Sequence, residues 1–221
     1  MKVLAFVSQK GGAGKTTLAA SCGVHAAEQG YRVCLMEMDK QGSLAAWHDD
    51  RMKAGLEEPD FVFIDKATQL RTSLAALKGE FDLVVIDTKG EDSAFTAAAI
   101  GAADFCVLPT RPLGVDLKAC LPTVRSILTA EKPFGFVLNQ APSRSKRVED
   151  TQAALSTLGI VADTVMVNRL DHADAVAAGY GVTEYRTDSA AADELRGLWR
   201  WIETNLQLKP KKGKAHGNKA A

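Results

Sequence analysis

A glycine-rich segment that carries two lysines most constrains what this chain can fold into. It reads Gln9-Lys10-Gly11-Gly12-Ala13-Gly14-Lys15-Thr16-Thr17, and it lies between an apolar run at residues 3–7 and an alanine-rich stretch of helical pattern. Glycines let backbone N–H groups turn inward towards phosphate oxygens, and a helix that begins near Lys15 adds the positive end of its dipole. The segment therefore predicts a phosphate-binding loop between a strand and a helix.

Two side chains of this loop have predicted roles. Lys15 is expected to bridge the β- and γ-phosphates of a nucleoside triphosphate, and the hydroxyl of Thr16 is expected to complete the coordination of Mg²⁺, which prefers oxygen ligands. The common form of the motif has glycine where this chain has Gln9. The loop is thus a departure from the usual pattern, and Lys10 is part of that departure.

This departure resembles the deviant Walker A motif of the ParA/MinD family of P-loop ATPases. The resemblance rests on Lys10-Gly11-Gly12-x-Gly14-Lys15-Thr16-Thr17. It implies that the cofactors are ATP and Mg²⁺, and that Lys10 reaches across an ATP-dependent homodimer to the partner's nucleotide. Lys10 and Lys15 are then expected to be catalytic. The resemblance assigns ATP binding to Lys10, Gly11, Gly12, Ala13, Gly14, Lys15, Thr16 and Thr17.

Seven apolar runs of strand length alternate with stretches of helical pattern. The runs occupy residues 3–7, 33–38, 61–64, 83–86, 105–108, 134–138 and 161–167, and the helical patterns include 16–29, 69–78, 117–130 and 147–158. Strands that alternate with helices indicate a parallel sheet. We therefore predict an α/β, three-layer P-loop NTPase fold with a mostly parallel twisted sheet covered by helices on both faces.

Two aspartates stand where apolar runs end. Asp39 follows the run at 33–38 and Asp87 follows the run at 83–86. Carboxylates at the carboxyl ends of buried parallel strands face the crevice where such sheets bind ligands. Asp87 resembles the Walker B aspartate, which holds Mg²⁺ through water, and Asp39 resembles the second acid of the family's D-x-D-P-Q switch motif, which implies a role in activating the attacking water. Thr16, Asp39 and Asp87 are therefore the predicted metal site.

The chain departs from the family pattern at three places near these acids. Glu37 stands where aspartate is usual, Lys40 stands where proline is usual, and Thr88-Lys89-Gly90 replaces the prolines or small residues that commonly follow the Walker B strand. Gly90 is still expected to supply a flexible contact to the γ-phosphate. These departures leave the turnover rate open.

The resemblance to the family covers nearly the whole chain. The segment Gln41-Gly42-Ser43-Leu44-Ala45-Ala46-Trp47 looks like that of the short, ParF-type ParA proteins. The first apolar run begins at about residue 3, so we expect no preceding helix-turn-helix. Asn139 follows the run at 134–138, where related nucleotide-binding folds often place a residue that contacts the base. A loop asparagine with no ligand is an equally open interpretation of Asn139.

Composition predicts one compact domain at residues 1–208 and a basic, disordered tail at 209–221. The tail has five lysines and no acid, whereas residues 1–208 carry 22 Lys and Arg against 27 Asp and Glu. Four widely spaced cysteines lie in apolar stretches and predict buried, reduced thiols. With no signal peptide and no membrane-length apolar run, the predicted location is cytoplasmic, on the nucleoid when ATP is bound.

The last helical pattern carries Arg196 and Arg200 beside an apolar stripe that should be core. ParA-like dimers bind nonspecific DNA through basic residues on late helices, so Arg196 and Arg200 are hypothesised phosphate contacts, with solvated charge as the alternative. The expected partners are a second copy of the chain, nonspecific DNA and a ParB-like or other adaptor that stimulates hydrolysis, while a membrane partner is not expected.

Several functions share this loop. The favoured one is an ATPase switch that positions or segregates a plasmid, a chromosome region or a protein complex. A MinD-like membrane regulator would use the last helix as an anchor, and an ATP-binding switch with little hydrolysis would explain the departures at Glu37, Lys40 and Lys89. A carrier of iron-sulfur clusters would need cysteines at the dimer face, and Cys106 and Cys120 lie in strand and helix patterns instead.

Overall fold

Seven apolar segments form one sheet in the computed structural model, which describes residues 1–90 and 93–209. The strands are β1 (Lys2–Phe6), β2 (Val33–Glu37), β3 (Asp60–Phe63), β4 (Leu83–Asp87), β5 (Phe105–Thr110), β6 (Phe134–Leu138) and β7 (Ile160–Val161). Their order across the sheet is β3-β2-β4-β1-β5-β6-β7, and the pairings between these strands are all parallel. The predicted α/β P-loop NTPase fold is confirmed.

Helices connect the strands and cover both faces of the sheet. Their bounds are α1 (Lys15–Glu28), α2 (Ser43–Lys53), α3 (Leu70–Leu77), α4 (Ala94–Ala102), α5 (Gly114–Thr129), α6 (Lys146–Ser156), α7 (Leu170–Ala177), α8 (Val182–Tyr185) and α9 (Ala190–Leu206), with a short 3-10 helix at Ala67–Gln69. Helices α1, α2 and α7 to α9 contribute to the core on one face, and α3 to α6 contribute to the core on the other.

Alternation along β1 shows how the two cores are divided. Leu4 and Phe6 pack into the core that contains α1 and α9, whereas Val3, Ala5 and Val7 pack into the core that contains α4 and α5. Side chains alternate between the faces of a strand, so a strand covered on both sides must be apolar almost throughout. Burial of each large side chain contributes about 1.5–3 kcal/mol. The central strand is therefore firmly held, and the loop that follows it has a rigid base.

The predicted strand at 161–167 was wrong in length, because β7 ends at Val161. The chain leaves the sheet at Asp163 and Thr164, where the Thr164 hydroxyl lies so close to Gly197 that a Cβ there would be 2.5 Å from it. It returns at Met166, whose N–H donates to the Leu138 carbonyl at 2.9 Å. Contact with α9 at the edge of the sheet therefore interrupts the strand.

The apolar stripe of α9 lies in the core, as predicted. Its buried residues include Leu195, Leu198, Trp199, Ile202 and Leu206. The four cysteines are free thiols and are buried, also as predicted. Within residues 1–90 and 93–209, none of the helices combines the length and the hydropathy needed to cross a membrane.

The predicted boundary at residue 208 falls at the end of the described chain. Lys209 is exposed, and its backbone carbonyl accepts a hydrogen bond from the Tyr31 hydroxyl at 3.0 Å. The rest of the predicted tail lies outside the described residues. The division into a domain at 1–208 and a tail at 209–221 stays a prediction.

Candidate nucleotide-binding site

The glycine-rich loop connects β1 to α1 at the carboxyl edge of the sheet. Gly14 caps α1 in a left-handed conformation, with φ of 86°. A Cβ at this position would lie 2.2 Å from Nδ2 of Asn139, so both the backbone angle and the space require glycine. Because no acidic residue lies in the first turn of α1, the positive end of the helix dipole is open to an anion.

Lys15 is the first residue of α1 and has an unusual environment for a lysine. It is only 7% exposed, and its Nζ lies 3.5 Å from the backbone carbonyl of Lys10. Burial lowers the pKa of its ammonium group, although the carboxylates of Asp87 and Asp39 act in the opposite direction. A buried ammonium group gains from an anionic partner, and a bound phosphate would supply one.

Thr16 and Asp87 are brought together across the sheet. The Thr16 hydroxyl donates to Oδ2 of Asp87 at 2.6 Å, and Asp87 is 1% exposed. Its other oxygen, Oδ1, has no hydrogen-bond partner among the described residues. Burial raises the pKa of Asp87 to about 7, against the effects of Thr16 and Lys15. A buried carboxylate oxygen beside a threonine hydroxyl fits a Mg²⁺ ion, which takes oxygen ligands.

The predicted switch residue Asp39 lies in the loop between β2 and α2. It is half-buried, and its Oδ1 accepts a hydrogen bond from the Gln41 N–H at 3.0 Å. Asp39 lines a cavity of about 580 Å³. The cavity is also lined by the loop residues Gly11, Gly12, Gly14, Lys15, Thr16 and Thr17, and by Gln41, Ser43, Thr88, Lys89, Gly90, Gln140 and Val176.

Glu37 explains how the switch loop is held. It is fully buried at the end of β2, opposite Asp87 in the strand register. Its two carboxylate oxygens accept hydrogen bonds from the N–H groups of Leu44 and Ala45, both at 2.9 Å. Burial raises the pKa of Glu37, and the two N–H donors oppose that effect. Glutamate is one methylene longer than the aspartate that is usual at this position. The Glu37 side chain therefore ties the first turn of α2 to the sheet, a role that the sequence did not indicate.

Lys10 lies outside the cavity and forms an ion pair that the sequence did not predict. Its Nζ contacts Oδ1 of Asp116 on α5, and the guanidinium group of Arg111 binds the same carboxylate. Burial raises the pKa of Asp116, but the hydrogen bonds from Arg111 and Lys10 outweigh it and hold the pKa below its usual value. Lys10 and Asp116 are 106 residues apart in the chain. No local sequence pattern could therefore have predicted the ion pair.

Asn139 lies at the end of β6, next to the loop. Its Nδ2 donates to the Ala13 carbonyl at 2.8 Å, and the residue is 7% exposed. Asn139 also lines a smaller cavity of about 120 Å³, together with Thr17 and His172. Both ring nitrogens of His172 are buried without a partner in the described chain. Asn139 therefore supports the glycine-rich loop on one side and lines a small cavity on the other.

Arg196 and Arg200 lie away from this site. Both line a separate cleft of about 250 Å³ between α1 and α9, which also includes Gln29 and Glu203. Arg196 pairs with Asp193 at 2.9 Å, and Arg200 is exposed. The structure thus separates the predicted DNA contacts from the predicted nucleotide site.

A parallel sheet with a deviant glycine-rich loop, Lys15 and a Thr16–Asp87 pair at its carboxyl edge defines the ParA/MinD class of P-loop ATPases. A family model described as VirC1 protein matches residues 1–179. The chain belongs to this VirC1 family within the ParA-like ATPases.

Similar proteins cover nearly the full length of the chain. It is 33% identical over 213 residues to the maintenance of carboxysome distribution protein A of Gloeobacter kilaueensis, a match that spans 90% of this chain and 96% of that protein. It is 30% identical over 203 residues to the protein of the same name from Halothiobacillus neapolitanus, over 88% and 93% of the two chains. The solved ATP complex of a Cyanothece McdA variant has a TM-score of 0.77, 19% identity, and coverage of 95% and 97%.

Proposed function

We propose that this protein is a Mg²⁺-dependent ATPase that positions or segregates cargo by cycling on and off nonspecific DNA. The observation that carries the proposal is the Thr16–Asp87 hydrogen bond of 2.6 Å beside the buried Lys15. This arrangement places an ammonium group, a hydroxyl and a carboxylate at the start of one helix, and such a set suits a metal-bound triphosphate.

ATP would be held mainly by the loop. The backbone N–H groups from Gly11 to Thr17 and the dipole of α1 favour the phosphates, and Lys15 adds the charge that bridges them. Asn139 is proposed to contact the base from the end of β6. Thr16, Asp39 and Asp87 would hold Mg²⁺, which when bound neutralises charge that develops on the phosphates.

Hydrolysis is assigned to Asp39. It lies on the switch loop and lines the same cavity as Lys15 and Thr16. From this position a carboxylate can accept a hydrogen bond from a water molecule and orient it towards the terminal phosphate. Hydrolysis would act as a slow timer that an adaptor protein of the ParB type accelerates.

The ATP-bound form is proposed to be a homodimer in the cytoplasm. Lys10 would leave Asp116 and reach the nucleotide of the partner subunit. The relatives named for carboxysome distribution support a role in placing a large assembly. The cargo of this chain would be a plasmid, a chromosome region or a protein complex.

Nonspecific DNA would bind at α9. Arg196 and Arg200 lie four residues apart on the exposed side of this helix and line one cleft. The apolar stripe of α9 is buried in the core, so this helix supports contact with phosphates better than insertion into a bilayer. Lysine and arginine contacts to phosphates make binding depend steeply on salt.

ATP turnover and oligomeric state test the proposal together. Both are measured for the wild type and for Asp39→Ala, with and without duplex DNA, and Asp49→Ala on the exposed side of α2 is the matched control. We expect slow, Mg²⁺-dependent hydrolysis by the wild type and by Asp49→Ala. Asp39→Ala should bind ATP and remain a dimer without turnover. A protein that binds ATP, never cleaves it and ignores DNA would instead be a nucleotide-gated binding module.

The DNA contacts have their own test. The double variant Arg196→Ala/Arg200→Ala should retain its ATPase activity and lose most of its ATP-dependent DNA affinity. Its dependence on salt should also become shallower by about one to two units of slope in a plot of log affinity against log salt. Lys118→Ala/Arg125→Ala, on the exposed side of α5, is the control. DNA affinity that needs neither ATP nor the two arginines would remove α9 from the proposal.

A further inference from the structure

The order of strands determines which candidate site residues lie on each side of the glycine-rich loop. Strands β4 and β2 lie on one side of β1 and its loop, and β5 and β6 lie on the other. The Thr16–Asp87 pair and Asp39 are on the β4 side, whereas Asn139 and Gln140 follow β6. Thr16 and Asp87 would hold Mg²⁺ on the β4 side, and the ion would neutralise charge on the terminal phosphates there. The terminal phosphate of a bound nucleotide therefore belongs on the β4 side.

Lys89 lies on that side, two residues after Asp87, and lines the cavity with Lys15 and Asp39. The backbone on either side of it is fixed. The hydroxyl of Thr88, which is 2% exposed, donates to the Phe6 carbonyl at 2.9 Å. Gly90 packs so closely on the loop that a Cβ there would lie 2.9 Å from the N atom of Gly11. The segment from Thr88 to Gly90 is thus anchored on β1 and on the phosphate-binding loop.

The charges around the cavity suit Lys89 to the binding of a phosphate group. Among the described residues that line it, the cations are Lys15 and Lys89, and the anion is Asp39. ATP carries more negative charge than ADP, and the difference would lie at the terminal phosphate, on the side of the cavity that Asp39 lines. An ammonium group on this side reduces that repulsion and forms a charge-assisted hydrogen bond with a phosphate oxygen.

Lys10 does not fill this role within the single chain. Lys10 does not line the cavity, and its ammonium group lies at Asp116 on α5. Lys15, at the start of α1, is expected to bridge the β- and γ-phosphates. Among the described residues that line the cavity, Lys89 is the further cation, and it lies on the β4 side.

We propose that the Lys89 ammonium group binds the terminal phosphate of ATP and makes the site prefer ATP to ADP. The inference rests on the proposed function. It assigns to Lys89 a binding role in the same chain, and it gives a reason for a charged residue two positions after Asp87.

Nucleotide affinity tests this role without any need for turnover. Calorimetry with Mg²⁺ measures the dissociation constants of a nonhydrolysable ATP analogue and of ADP for the wild type, Lys89→Met and Lys89→Arg. We expect Lys89→Met to bind the analogue about tenfold or more weakly and ADP within about threefold of wild type. Lys89→Arg should keep most of the preference for the triphosphate. Lys66→Met, at an exposed lysine after β3 on the same edge of the sheet, is the matched control.

Each result has a distinct meaning. Unchanged ADP binding by Lys89→Met shows that the variant is folded, so a selective loss of the analogue supports the inference. An equal loss for both nucleotides, or no loss, overturns the role of Lys89 and leaves the proposed function standing. A wild-type protein that binds neither nucleotide overturns the proposed function and this inference together.

Discussion

At the scale of single residues, Asp116 holds the side chain of Lys10 in an ion pair. Its carboxylate is 4% exposed and binds both Lys10 and Arg111. In the proposed dimer Lys10 must leave this carboxylate to reach the partner's nucleotide. The ion pair stabilises the single chain, and it would oppose the formation of the proposed dimer.

Asp116→Asn should separate these two effects. We expect the free energy of unfolding to fall by about 1–2 kcal/mol, because Lys10 and Arg111 lose their shared anion. In the Asp39→Ala background with ATP and Mg²⁺, the dimer should form at about tenfold lower concentration, because Lys10 no longer has to leave a carboxylate. Urea unfolding and sedimentation velocity measure the two quantities.

The control for Asp116→Asn is Asp193→Asn, which removes an exposed ion pair with Arg196. It should change the free energy of unfolding by less than about 0.5 kcal/mol. An unchanged dimer constant in Asp116→Asn would show that the pair does not restrain Lys10.

His172 gives a pH dependence whose sign follows from its burial. Burial lowers the pKa of His172, and the charge of Arg169 lowers it further. The carboxylates of Glu194 and Asp171 act in the opposite direction, but burial is the largest effect. The neutral form is therefore favoured in the folded protein. Its contribution to stability is present above the unfolded pKa of about 6.5 and is lost as the pH falls through the lower folded pKa.

His172→Phe should remove this acid sensitivity. The advantage of the variant over the wild type in free energy of unfolding should be larger at about pH 5 than at about pH 7.5. Urea unfolding at the two pH values measures the difference, with pH 7.5 as the internal control. The same advantage at both values would mean that removal of the unpartnered nitrogens acts without any titration.

At the scale of elements, helix α2 depends on a residue of β2. The helix begins after Gly42, which offers no side chain to cap its N–H groups. The carboxylate of Glu37 takes that role through the N–H groups of Leu44 and Ala45. Glu37 therefore connects β2 to α2 on either side of the switch loop that carries Asp39.

Glu37→Ala should release the start of α2. We expect a loss of about 2–3 kcal/mol in the free energy of unfolding, because two N–H groups lose a buried acceptor. Amide hydrogen exchange at Leu44 and Ala45 should become faster. Ser43→Ala, at the exposed first residue of α2, is the control and should stay within about 0.5 kcal/mol of wild type. Unchanged exchange in Glu37→Ala would contradict the capping role.

The contact between the loop and the segment after β4 is a second link between elements. A Cβ at Gly90 would meet backbone atoms of Gly11 and Lys10 at 2.9 to 3.1 Å, whereas a Cβ at Gly101 on α4 would meet nothing within 4 Å. Backbone cannot move aside as the end of a flexible side chain can. The two glycines therefore form a matched pair for substitution.

Gly90→Ala should weaken ATP binding by about tenfold or more, because the new methyl group displaces the phosphate-binding loop. Gly101→Ala should instead raise the free energy of unfolding by up to about 1 kcal/mol and leave ATP binding unchanged, since alanine costs less backbone entropy in a helix. Calorimetry and urea unfolding measure these changes. Equal behaviour of the two variants would contradict the packing argument.

At the scale of the whole molecule, ligand binding should report on the entire site. ATP with Mg²⁺ at about 100 times its dissociation constant adds about 2.7 kcal/mol to the free energy of unfolding. For a chain of this size the gain should raise Tm by roughly 5–10 °C. Lys15→Ala and chelation of Mg²⁺ should each remove most of the gain, and Lys53→Ala should retain it. A full gain without Mg²⁺ would exclude the metal from the proposed site.

Much of this architecture was predictable from the sequence because its causes are local. Six of the seven apolar runs became strands with little change in their bounds, and the glycine-rich loop connects a strand to a helix as its spacing indicates. Asp39 and Asp87 could be placed near the loop because the carboxyl ends of parallel strands meet at one edge of a sheet. The length of β7 was wrong because contact with α9 decided it.

The sequence by itself thus determined the fold class, the position of the glycine-rich loop between β1 and α1, and the presence of Asp39 and Asp87 at the same edge of the sheet. Tertiary structure alone decided that Asp116 holds Lys10, that Glu37 caps α2, and that Arg51 binds Glu184 across 133 residues. These contacts join residues with no periodic or adjacent relation in the chain. They exist because burial forces each charged group to find an opposite charge or a hydrogen-bond donor wherever the packed fold happens to bring one.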